Sequence, residues 1–80
     1  MGIICGLNML KTGEIAKVLR LENKGDIRRR LFDLGIMEGS EITCVFKAPF
    51  GDPTAYMIKG TIIAIRKNDS EKIVVRCKNE

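Results

Sequence analysis

Asp26-Ile27-Arg28-Arg29-Arg30-Leu31-Phe32-Asp33-Leu34-Gly35-Ile36-Met37-Glu38-Gly39 is the segment on which the reading of this chain turns. It reads as a helix with both ends marked. Asp26 precedes it, where a short carboxylate can accept hydrogen bonds from the free N–H groups of the first turn. Ile27, Leu31 and Leu34 recur at i, i+4 and i+7, a spacing that stacks them on one face. Gly35 follows, where a left-handed stop favours a residue without Cβ. Such a helix is about two and a half turns long. At that length it is marginal alone in water and needs a surface to pack on.

The flanking segments supply that surface as strands. Upstream, Glu14–Glu22 mixes β-branched and polar residues. Strand is the favoured reading, with Ile15, Lys17, Leu19 and Leu21 on one face and Ala16 and Val18 on the other. Its helix formers keep a helix open as a competitor. Asn23-Lys24-Gly25 breaks the chain before the central helix. Downstream, Glu41–Lys47 alternates, with Ile42, Cys44 and Phe46 on one face, as in a half-buried strand. Ala48–Pro53 is a loop, because two prolines and a Gly-Asp cannot continue a ladder. Strands are then expected over Ala55–Ile58, Ile62–Arg66 and Lys72–Lys78. Lys59-Gly60-Thr61 forms a tight turn, and Lys67–Glu71 forms a short polar turn with room for one 3₁₀ turn. Ile62–Arg66 has so little polar interruption that burial on both faces is expected. Residues 1–9 form a lead segment, either an edge strand or a loosely held arm. The fold class is therefore mainly β: a small, partly closed barrel of five to six strands with one short helix after the first long strand. Ile27, Leu31 and Leu34 would plug one end of it.

Composition sets the bounds. Eighty residues make one domain spanning 1–80, burying about 60–65% of its unfolded surface. Hydrophobic residues are 45% and charged residues 30% of the chain, a globular balance. No apolar run approaches the roughly 20 residues of a membrane span. The opening Met1–Leu7 lacks the basic region of a signal peptide. Met1-Gly2 opens a myristoylation motif, but Gly6 stands where Ser or Thr is needed. A soluble, cytoplasmic protein without membrane insertion is expected. Cys5, Cys44 and Cys77 are an odd, widely spaced set, and histidine is absent. That pattern argues against a disulfide framework and a zinc knuckle. Cys44 and Cys77 read as small strand hydrophobes, and Cys5 as a free thiol.

Four motifs in order carry a family resemblance: Arg30-Leu31-x-x-Leu34-Gly35-Ile36-x-x-Gly39, Ala48-Pro49-x-Gly51-Asp52-Pro53, Lys59-Gly60 and Ala64-Ile65-Arg66. Together, from about Leu10 to Arg76, the chain resembles the FeoA family of ferrous iron transport proteins. It is also similar to the C-terminal SH3-like module of iron-dependent repressors. The resemblance implies an SH3-like barrel and a small cytoplasmic accessory protein. It also implies a partner, the cytoplasmic part of the FeoB membrane permease.

The residues themselves favour recognition over chemistry. There is no histidine to serve as a base near neutral pH. Neither a nucleophile elbow nor a phosphate-binding loop occurs, so no enzyme is expected. Ferrous sites favour His and carboxylate ligands. Asp26, Asp33, Glu38, Glu41 and Asp52 are scattered, so neither a metal site nor a cofactor is expected. Arg28-Arg29-Arg30 spreads around the helix at about 100° per residue, with Asp26 and Asp33 placed for local ion pairs. Phe32 falls off the apolar stripe, and Phe50 sits between two prolines, so each is a candidate either for core cover or for an interface anchor. The candidate partner-contacting residues are Arg28, Phe32, Phe50, Gly51, Asp52 and Tyr56. Two alternatives stay open. Net charge is +4 and pI about 9.2, which admits a nucleic-acid-binding barrel, although aromatic stacking residues are few. A stand-alone regulatory module related to metal-dependent repressors is the other.

Overall fold

A computed structural model describes residues 2–77. Six strands form one antiparallel sheet: β1 (Ile3–Gly6), β2 (Ile15–Leu21), β3 (Glu41–Lys47), β4 (Thr54–Ile58), β5 (Thr61–Ile65) and β6 (Ile73–Cys77). A 3₁₀ turn, Leu7–Met9, follows β1. The helix α1 (Asp26–Asp33) lies between β2 and β3, and a single turn, α2 (Lys67–Ser70), lies between β5 and β6. The spatial order is β1-β6-β2-β3-β4-β5. The mainly β fold with one short helix after the first long strand is as the sequence indicates. Met1 and Lys78 of the expected lead segment and last strand lie outside the described residues.

The lead segment is an edge strand. Ile3 pairs with Cys77 and Cys5 with Val75. Behind it, Leu7 and Leu10 are fully buried. The Tyr56 hydroxyl donates to the Leu7 carbonyl at 3.4 Å, which fastens this segment to the barrel interior. The Cys5 and Cys77 sulfurs lie 3.5 Å apart as free thiols. Burial and the neighbouring Cys77 push the Cys5 thiol up to about 11, so it stays protonated at neutral pH.

Two register shifts decide which residues face inward. On β2 the shift between Val18 and Arg20 exchanges the faces partway along the strand. Ala16 and Val18 are buried before it and Leu21 after it, while Ile15 is exposed. The expected grouping of Ile15 with Leu21 is thus corrected. On β3 a shift between Cys44 and Phe46 leaves Ile42 and Cys44 in the core and turns Phe46 out. β5 is also corrected: it is an edge strand, and within it Ile65 alone is fully buried.

The helix stop corrects the expected plug. Gly35 has φ +97°. Its N–H donates to the Phe32 carbonyl, and the Ile36 N–H to the Leu31 carbonyl, each at 2.9 Å. This is the Schellman arrangement, in which the residue beyond the glycine packs back on the last turn. Accordingly Leu31 and Ile36 are buried and Ile27 is half-buried, while Leu34, at the turn itself, is exposed. Asp26 makes no side-chain cap; Gly25, at φ +71°, holds the cap position. Gly35→Val should cost about 1–2 kcal/mol, since an L side chain is strained at positive φ. Chemical denaturation checks this, and an unchanged midpoint would contradict it.

Candidate docking surfaces

The loop from Ala48 to Pro53 is pinned from both sides. Inside it, the Gly51 N–H donates to the Ala48 carbonyl at 2.7 Å, and the Ala48 N–H to the Pro53 carbonyl at 3.1 Å. Gly51 has φ +80°, a conformation that costs glycine little. Outside it, Asp52 Oδ1 accepts the Lys67 N–H of α2 at 2.9 Å. Asp52 therefore holds the loop to the barrel across fifteen positions of sequence rather than bonding within its own turn.

This framework carries Phe50 at 99% exposure, so Phe50 does not fold back over the barrel. Met9, from the 3₁₀ turn, is also largely exposed and lines the same shallow groove of about 300 Å³. Lys47 and Lys67 border that groove. Met9 escaped the sequence reading because nothing local ties residue 9 to residue 50; the buried neighbours Leu7 and Leu10 were the only signal available.

Arg28 and Phe32 belong to a different place. The Arg28 guanidinium lies 4.9 Å from the Phe32 ring centroid, a cation–π contact. It also donates to the Leu21 carbonyl at 2.6 Å, locking the start of α1 to the end of β2. Phe32 is partly exposed beneath it. Neither Asp26 nor Asp33 forms an ion pair with the arginines among the described residues. Arg28 and Phe50 line different grooves.

Tyr56 is corrected from contact residue to core residue. It is 1% exposed, and burial pushes its hydroxyl above the ordinary tyrosine range. Among the described residues, no three of Cys, Asp and Glu converge as a ligand group. No helix of the described residues is long and apolar enough to cross a membrane.

Comparison with known proteins places this geometry. A fusion protein of Porphyromonas gingivalis, named Fe(2+) transport protein A/Fe(2+) transporter FeoB, is 38% identical over 69 residues, covering 86% of this chain. The chain spans 8% of the length of that curated relative. An FeoA-like protein of Clostridium acetobutylicum is 34% identical with a TM-score of 0.87, over 100% of this chain and 93% of that one. Stenotrophomonas maltophilia FeoA, described as a prokaryotic SH3 domain protein, is 30% identical with a TM-score of 0.78, covering 88% and 87% of the two chains. The sheet is thus the SH3-like fold. Since the FeoA domain model matches residues 5–77, the chain belongs to the FeoA family.

Proposed function

We propose that this chain is a cytoplasmic accessory domain of ferrous iron uptake that binds the cytoplasmic part of an FeoB-type permease. It acts by recognition and not as an enzyme. The observation that carries the reading is Phe50, fully exposed on a loop already held by Asp52. A pre-ordered apolar anchor lowers the entropy cost of association. The fusion of an FeoA part to FeoB in one relative supports the choice of partner, because joined domains meet at high effective concentration.

The test is a binding titration of the intact chain against the cytoplasmic part of such a permease, with a nucleic acid duplex as the competing partner. Saturable permease binding with little salt dependence is expected. Binding of the duplex alone, falling steeply with salt through counterion release, would replace this reading with a nucleic-acid one. A second expectation concerns iron itself. Anaerobic titration with Fe²⁺ should show no saturable one-to-one site tighter than about 10 µM, roughly −7 kcal/mol. The absence of histidine from the chain motivates it.

A further inference from the structure

Among the described residues β5 is an unpaired edge of the sheet, and a groove lies beside it. Lys59 and Gly60 form a two-residue hairpin with φ +50° and +81°, so Ile58 and Thr61 are the hydrogen-bonded pair that closes it. Pairing alternates along an antiparallel ladder. Thr61, Ile63 and Ile65 therefore bond to β4, and the N–H and C=O groups of Ile62 and Ala64 point away from the sheet. Natural edges are commonly blunted by a charge, a proline or a bulge. The five residues of β5 include none of these, and the β4–β5 register runs unbroken. β1 forms the other edge of the sheet.

The groove, of about 470 Å³, runs between β5 and α1. Its apolar lining includes Ile27, Leu31, Leu34 and Ile63, and Arg30 and Arg66 line it together with one carboxylate, Asp69. Lys59 reaches across to Gly35 at the helix stop. Cations are thus in excess around it, on a chain of net charge +4. Two copies paired antiparallel through β5 would bring both sets of guanidinium groups to one seam, which like-charge repulsion opposes.

We infer that the β5 edge and the α1 groove bind an extended, acidic peptide segment of a partner by strand addition. Backbone bonds to Ile62 and Ala64 hold the segment. Its alternate apolar side chains enter the groove over Ile27, Leu34 and Ile63, and its carboxylates meet Arg30 and Arg66. This site is separate from the Phe50 loop, and it holds whether or not the permease is the partner.

The probe is an acetylated, amidated peptide of alternating valine and glutamate, with a valine–lysine peptide as control, added to the intact chain. Amide exchange and chemical shifts are followed by NMR. The valine–glutamate peptide should slow exchange at Ile62 and Ala64 and shift the Ile27, Leu34 and Ile63 methyl signals. Ala64→Pro removes one outward N–H without touching the bonds to β4, as proline permits on an edge, and should weaken binding about tenfold or more. Should that variant fold poorly, Arg30→Glu with Arg66→Glu alters exposed positions only. It should weaken the acidic peptide and favour the basic one. The inference is overturned if millimolar acidic peptide leaves Ile62 and Ala64 unprotected. Equal protection by the basic peptide, or shifts confined to Met9 and Phe50, would also overturn it. So would protection that appears without peptide and tracks a concentration-dependent dimer, which would make a second copy the occupant.

Discussion

Leu31→Ala is expected to lower the unfolding free energy by about 2–5 kcal/mol, the range for a buried leucine whose removal leaves a cavity. Leu31 is 2% exposed and its carbonyl accepts the Ile36 N–H at 2.9 Å. The side chain and its backbone thus serve the same corner, where α1 stops and packs on the sheet. Ile36, at 0% exposure, cannot move to fill the space without breaking the Schellman bonds. Domains have a net stability of only about 5–15 kcal/mol, so the variant stands near the edge of folding. Leu34→Ala, two-fifths exposed at the turn, is the contrasting change and should cost well under 1 kcal/mol. Urea titration of both variants measures the difference. Equal losses would mean that the helix docks as the i, i+4, i+7 spacing alone indicates, and not as the corner arranges it.

Phe50→Ala should weaken binding to the permease's cytoplasmic part about 30-fold, as for a central aromatic anchor, and change stability by less than about 1 kcal/mol. The two effects separate because Phe50 is 99% exposed while its loop is held by Asp52 and Gly51. Among the described residues, nothing loses substantial packing when the ring is removed. Met9→Ala should act in the same direction more weakly, since Met9 borders the same groove but offers a flexible side chain. Measuring affinity and denaturation on one preparation decides the matter. A folded Phe50→Ala variant with undiminished binding would eliminate the loop as the anchor.

By itself the sequence determined the local features. The short helix and its glycine stop follow from the 26–39 spacing. The strands of residues 41–47 and 55–58 follow from alternation and from the punctuation by Pro49 and Pro53, as does the exposed loop between them. These are legible because each depends on neighbours a few residues apart. The resemblance carried by the four motifs added the SH3-like fold. The tertiary structure decided which face of each strand is buried. A strand's period of two makes one extra residue at Val18/Arg20 or Cys44/Phe46 exchange inside and outside, and no local pattern shows where a partner strand skips. It also decided that Tyr56 is core and that Met9 joins Phe50. It placed the apolar run of β5 at an edge rather than the centre. These outcomes rest on contacts between residues far apart in the chain, such as Leu7 with Tyr56 and Asp52 with Lys67. Their positions are fixed by closure of the whole sheet around one core, a constraint that no stretch of residues carries alone.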